Sequence, residues 1–239
     1  MPYVLEHCTA GNTEEYGKYY SARYGKRSGR SENLHPTKET VRKSNLRKAE
    51  KDLRRLMNNN FRDYIDALVT LDFAPEVRPE SYEELRKRMQ NFLQRLRRVY
   101  RKRKLPLRFI WVAEIGPKGG IHVHMMLSNV NARTVAATWK DGATHIDCLW
   151  SHGQYSKIAS YFLKYHQKTE ETIGRHLGRS WNPSQNLKKP VVTKTIISAR
   201  SFREKIREKK GYQLDKSSVR RGVSEYTGLP YLSYTFVRD

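Results

Sequence analysis

Gly120-Ile121-His122-Val123-His124-Met125-Met126-Leu127 decides the reading of this chain, because it sets two histidines one residue apart inside an apolar run. As a strand, such a run alternates between two faces. His122 and His124 then project from one side, about 7 Å apart, while Ile121, Val123 and Met125 pack on the other. Imidazole is a common ligand of transition metals, so two of them held on one rigid face supply most of a metal site. Immediately upstream, residues 109–116 (Phe-Ile-Trp-Val-Ala-Glu-Ile-Gly) are aromatic and β-branched, and Pro117-Lys118-Gly119-Gly120 follows. Strand, Gly/Pro turn, strand is a hairpin signal. A three-residue loop, Pro117-Lys118-Gly119, places Gly at the left-handed position and Glu114 directly opposite His122. A two- or four-residue loop would turn Glu114 to the other face. The three-residue loop is preferred because it accounts for a carboxylate in an otherwise apolar strand. Glu114, His122 and His124 then form a two-histidine, one-carboxylate set with positions open to substrate.

The rest of the composition bears on what that substrate is. A formal charge of +23 in 239 residues, with a pI near 10.1, calls for a polyanionic partner, nucleic acid before acidic membrane. Fifteen tyrosines among the cations suit stacking on unpaired bases. No apolar run reaches the length of about 18 residues that a membrane span needs, and Met1-Pro2-Tyr3 opens no signal peptide. Cys8 and Cys148 have no metal-type spacing and read as reduced thiols of a cytoplasmic protein. No Gly-x-x-x-x-Gly-Lys-Ser/Thr run is present, so no ATPase motor is attached.

Three stretches surround the hairpin. Residues 1–60 read as a basic arm, rich in Tyr, Gly, Ser and Arg, that orders on binding, followed by a helix over about 37–59. That helix carries far more cations than acids, and Arg47, Lys51 and Arg54 are its candidate phosphate contacts. Residues 61–190 form the main domain. It opens with a strand over 65–73, whose Leu68, Thr70 and Asp72 share a face that joins the histidine face if the strands are neighbours. A capping box at Ser81 and Glu84 starts an amphipathic helix to about Arg103. After the hairpin come a helix over 132–139, a short strand over 144–149 and a further helix over 153–168. In this last helix Tyr155, Ile158, Ala159 and Phe162 make the buried stripe. Tyr161, Lys164, Tyr165 and Lys168 occupy a separate arc of about 100°. Two phenols and two ammonium groups on one helix face are the second candidate constellation. Residues 175–194 read as a surface loop. Residues 191–239 read as a basic extension packed on the same domain, with a helix over 199–210 and a last strand over 231–237.

Taken together and in order, these residues resemble the HUH endonuclease superfamily, in particular the rolling-circle replication initiators of small phages and plasmids. Leu68-Val69-Thr70-Leu71-Asp72-Phe73 is similar to the first strand motif, with Asp72 where related motifs usually carry Thr. Ile121-His122-Val123-His124 resembles the metal motif, with Glu114 where related initiators often supply a third ligand. The run from Tyr161 to Lys168 resembles the nucleophile motif in its two-tyrosine form. The resemblance spans roughly residues 60–190. It implies an α+β fold, one mainly antiparallel central sheet flanked by helices, with the tyrosine helix across the ligand face. It also implies metal-dependent cleavage and rejoining of single-stranded DNA, through a 5′-phosphotyrosine and a free 3′-hydroxyl. Glu114, His122 and His124 would hold a divalent cation, Mg²⁺ or Mn²⁺. Tyr161 or Tyr165 would attack, with Lys164 or Lys168 favouring the phenolate and pairing with phosphate. The implied partners are single-stranded DNA at a replication origin and a host helicase, with no membrane. A relaxase or transposase of the same nicking class is the near alternative. A non-enzymatic single-strand binder accounts for the charge and the tyrosines, but not for the ordered motifs.

Overall fold

A computed structural model describes residues 3–21, 24, 38–115, 120–174, 180–224 and 228–239. In chain order the strands are β1 (Tyr3–Ala10), β2 (Thr13–Tyr20), β3 (Ala67–Asp72), β4 (Phe109–Ile115), β5 (Ile121–Leu127), β6 (Thr144–Cys148), β7 (Asn182–Pro183), β8 (Val191–Ile197), β9 (Tyr212–Val223) and β10 (Pro230–Arg238). The α-helices are α1 (Lys38–Asn60), α2 (Tyr82–Lys102), α3 (Ala132–Thr138), α4 (Ser156–Ile173) and α5 (Ala199–Arg203). The fold is α+β and antiparallel, as the resemblance implies, with two five-stranded sheets and five α-helices. The chain divides into two compact units, residues 60–151 with 155–188, and residues 1–59 with 152–154 and 189–239.

The 60–188 unit carries the histidines. Its strand order is β6-β3-β5-β4-β7, every pair antiparallel. One face presents Val69, Leu71, Trp111, Val123 and Met125, and it packs on Leu85, Met89, Phe92 and Leu96 of α2 and Val135 of α3. These positions recur at helical spacing in α2, which is why one flank of the helix can seal a sheet. Ser81 caps α2 by accepting the Glu84 amide at 3.1 Å. Trp139 closes the end of this core, its ring edge-on to Phe73 and Phe92 and its Nε1 donating to the Asp72 carbonyl at 3.0 Å. The opposite face carries the histidines and receives α4.

The other unit corrects three expectations. Residues 3–20 form a hairpin, β1 and β2, where the sequence suggested an arm; residues 22, 23 and 25–37 lie outside the described residues. Alternation explains it: Val4, Glu6, Cys8 and Ala10 all turn inward, and two of the four are polar or small enough to hide the pattern. Gly11 makes the turn at φ +57°, where a Cβ would stand 2.0 Å from the Asn58 carbonyl oxygen. Residues 191–239 are likewise no extension on the histidine-bearing domain. They supply β8, β9 and β10 to a sheet ordered β8-β1-β2-β10-β9. The helix expected over 199–210 is limited to α5. On this sheet the buried Arg55 of α1 joins Glu6 and Glu15, at 2.7 and 2.6 Å. Lys51 reaches Glu6 at 3.2 Å and Arg54 reaches Glu15 at 2.6 Å.

Candidate active site

Register assembles the site. Along β5, His122 is paired with Glu114 of β4 on one side and with Asp72 of β3 on the other. This is the register that the Pro117-Lys118-Gly119 loop requires; the loop itself lies outside the described residues. His124 is flanked by Val112 and Thr70. Alternation puts all the polar members of these rows on one face.

The side chains then settle into two imidazole–carboxylate pairs. His122 Nδ1 lies 2.5 Å from Asp72 Oδ1, at the outer, half-exposed end of the site. His124 Nε2 lies 3.0 Å from Glu114 Oε2, and its Nδ1 is 3.3 Å from the Thr70 hydroxyl. This second pair is sheltered, with both side chains less than one fifth exposed. Burial lowers the affinity of His124 for a proton, outweighing the pull of Glu114. Burial would raise the Glu114 carboxyl, but hydrogen bonds from Lys168 and His124 hold it below its usual range.

Helix α4 lies across this face. Tyr165 stacks on His124, ring centroids 4.2 Å apart and planes 16° from parallel. Tyr161 stacks in turn on Tyr165 at 6.1 Å. Lys168 donates to Glu114 Oε1. The structure therefore brings Glu114, His122, His124, Tyr161, Tyr165 and Lys168 together, while Lys164 lies on the exposed side of α4. The two phenols differ. Tyr161 is 55% exposed. Tyr165 is half-buried, and burial, with Glu114 and Tyr161 nearby, pushes its hydroxyl up against the opposing effect of Lys168.

Thr169 fixes the helix at this height. Buried between α4 and β4, its hydroxyl donates to the Ala113 carbonyl at 2.8 Å and accepts the Ile115 amide at 2.9 Å. It thus satisfies backbone groups on β4 beyond the two residues, Ile110 and Trp111, that pair with β7. At the other end of the helix the buried Tyr155 donates to Asp63 at 2.8 Å.

Arg47, Lys51 and Arg54 belong to the other compact unit. Arg47 is exposed, whereas Lys51 and Arg54 are engaged by the sheet carboxylates. Sequence reasoning named neither Asp72 nor Thr169 as a site residue, although it put Asp72 on a face that joins the histidines if the strands are neighbours. Alternation with Thr70 fixed the face of Asp72, but only the pairing of β3 with β5 makes it the partner of His122. Thr169 sits in a polar run, Lys168-Thr169-Glu170-Glu171, with nothing to mark it.

Two imidazoles and two carboxylates are a donor set that suits a divalent cation in kind. As they stand, the donors are turned to one another, and among the described residues no three of them converge on one point. Both cysteines are free thiols, Cys8 buried and Cys148 exposed. Among the described residues no helix is long and apolar enough to cross a membrane.

Comparison with known proteins is selective. No curated protein and no solved structure matches the chain. One family model does, that of the replication-associated protein ORF2/G2P, over residues 66–170. Those residues run from the start of β3 through most of α4 and include every side chain of the site, and their similarity to this family supports a role in replication initiation.

Proposed function

We propose that this chain cleaves and rejoins single-stranded DNA by a tyrosine nucleophile, and so starts rolling-circle replication of a phage, plasmid or other mobile element. The observation that carries the reading is the stack of Tyr161 on Tyr165 on His124, which sets two phenols over a face of imidazoles and carboxylates. A phenolic oxygen bonds to the scissile phosphorus as the P–O3′ bond breaks. The 3′ oxygen takes up a proton, and the phenol gives one up. The phosphodiester energy is kept in the phosphotyrosine, so the reverse step needs no ATP.

His122, His124 and Glu114 would hold a Mg²⁺ or Mn²⁺ ion, with Asp72 a fourth donor within the same pairs. Such an ion acts as a Lewis acid on the phosphate and offsets the charge that repels a nucleophile. For these donors to serve, the His122–Asp72 and His124–Glu114 pairs would have to open, and Lys168, beside Glu114, would be within reach of phosphate or phenolate. Single-stranded DNA at an origin is the substrate in this reading, with strand separation left to a helicase of the host. The test is transfer of 3′-labelled single-stranded oligonucleotides onto the protein in the presence of Mn²⁺. A labelled adduct that maps by mass spectrometry to Tyr161 or Tyr165 is expected. Tight binding with no adduct on any oligonucleotide would reduce the chain to a binder.

A further inference from the structure

Helix α2 has two flanks beside its buried face, and they are treated differently. On one, Arg88 pairs with Glu84 at 2.8 Å and Asp141 at 3.3 Å, and Arg95 donates to the Thr138 carbonyl at 2.8 Å. On the other, Arg86, Gln90, Arg97 and Arg101 fall within an arc of about 60°. These four line a groove of about 770 Å³ together with residues 183–186. The lining contains no carboxylate, and no Asp or Glu occurs between Leu85 and Arg108. The facing wall is held in place rather than loose: Ser184 exchanges backbone and side-chain bonds with Phe109 at 2.9 and 3.1 Å, and Asn186 donates to the Leu107 carbonyl at 3.0 Å.

Arg97 and Arg101, one turn apart in a groove lined by no acid, repel one another until an anion enters, and Arg86 extends the cationic lining. Guanidinium matches phosphate in bidentate geometry. Arg86 to Arg101 spans about 22 Å of helix, the length of about six base pairs at 3.4 Å per step. The aromatic rings of the groove do not invite unpaired bases. Tyr100 and Phe109 are buried, and the Tyr100 hydroxyl already donates to the Ser128 carbonyl at 2.6 Å. Without an exposed ring there is no stacking platform, which is how single strands are gripped.

We propose that this groove binds the phosphate backbone of duplex DNA, independently of sequence. It lies along the helix that covers the sheet face opposite the histidines, so it is a second nucleic-acid site, separate from the candidate active site. It does not rest on the nicking reading and would stand if the chain cleaved nothing.

The experiment is fluorescence anisotropy of the full-length protein with an arbitrary 20-base-pair duplex and with a dT20 strand, over a salt series. For R86Q/R97Q/R101Q, duplex affinity should fall at least about tenfold, and the slope of log K against log salt should become shallower by about two to three. Affinity for dT20 should stay within about twofold, because its contacts lie elsewhere. The single variant R97Q should show about a third of the slope change. K205Q/K210Q/K216Q removes as much charge from exposed positions of the other unit and should change duplex affinity by less than about threefold. An unchanged duplex slope in the groove variant overturns the proposal. So does an equal loss on dT20, or an equal loss in the control variant. Loss of binding to phosphatidylserine vesicles with duplex binding intact would assign the groove to a membrane instead, and would also overturn it.

Discussion

Each imidazole of the site has a carboxylate of its own, and the two pairs differ in shelter. The outer pair, His122 with Asp72, is half-exposed; the inner pair, His124 with Glu114, is roofed by the Tyr165 ring. Removing either imidazole should therefore stop cleavage but leave single-strand affinity nearly intact, since affinity for a polyanion is expected from Lys and Arg rather than from these imidazoles. For His122→Ala and His124→Ala we expect no adduct and a Kd for dT20 within about twofold of the parent. Full cleavage in excess chelator would remove the metal from the scheme. Glu114→Ala should reduce cleavage less completely, because Asp72 offers a second carboxylate to the same face. The tyrosines are separable by single Phe substitutions. Two competent nucleophiles leave an adduct in Tyr161→Phe and in Tyr165→Phe, and none in the double variant. Disappearance of every adduct in one single variant would leave the other phenol a stacking role. The histidines, Glu114 and the tyrosine helix were legible because alternation and helical spacing put each on a definite face. The partner of His122 was not, since Asp72 becomes an outer-pair carboxylate only when β3 is known to lie against β5.

At the scale of elements, one buried hydroxyl ties α4 to the β4 backbone, beside the Lys168–Glu114 pair. Thr169→Val keeps the shape and removes both hydrogen bonds, leaving the Ala113 carbonyl and Ile115 amide unpaired in a buried place. The loss should be about 1–3 kcal/mol by thermal melting, with a fall in cleavage rate, because Tyr165 and Lys168 ride on the same helix. Thr169→Ser keeps the hydroxyl and should restore most of both. Loss of stability with an unchanged rate would mean that helix height does not govern the chemistry. In the other unit the binding element is an ionic cluster. Burial alone would raise the Glu6 carboxyl, but Lys51 and Arg55 outweigh it and hold it at about 2, from 4.5. Glu15 is lowered likewise, by Arg54 and Arg55 against its burial. Carboxylates depressed in the folded state contribute stability that is fully present above about pH 4.5 and lost as pH falls toward 2. The contribution of Glu6 alone is of the order of 3 kcal/mol. All four tryptophans fall in the histidine-bearing unit, so far-UV circular dichroism is the probe for this loss. Glu6→Gln should be less stable at pH 7 and should show a flatter acid limb; a limb as steep as the parent's would place the acid sensitivity elsewhere. The elements of this unit were the least legible. β8 (Val-Val-Thr-Lys-Thr-Ile-Ile) is strongly β-branched but follows a lysine- and proline-rich stretch, and β9 carries too many Ser, Arg and Lys residues to alternate cleanly.

For the whole molecule the decisive quantity is which of its cations are free to meet phosphate. A chain at +23 should bind nucleic acid with a steep salt dependence, because each phosphate contact releases condensed counterions. Composition leads to that expectation, and the charge pattern of the first helix points to Arg47, Lys51 and Arg54 as one phosphate-tracking surface. Folding separates them, since the carboxylates that claim Lys51 and Arg54 come from β1 and β2, more than thirty residues earlier in the chain. A cation already paired with Glu6 or Glu15 must give up that partner before it can bind a phosphate. Arg47 has no such debt among the described contacts and stands exposed. The three should therefore part company when tested one group at a time on dT20 across a salt series, with melting followed in parallel. Arg47→Gln should flatten the slope of log K against log salt by about one and leave the melting temperature alone. Lys51→Gln with Arg54→Gln should lower the melting temperature and change the slope by clearly less than the two expected of two phosphate contacts. If instead the double variant flattens the slope by about two and melts like the parent, the ion pairs open to admit DNA. In that event α1 is a binding surface along its length, and its pairing with the sheet is a resting arrangement that DNA displaces.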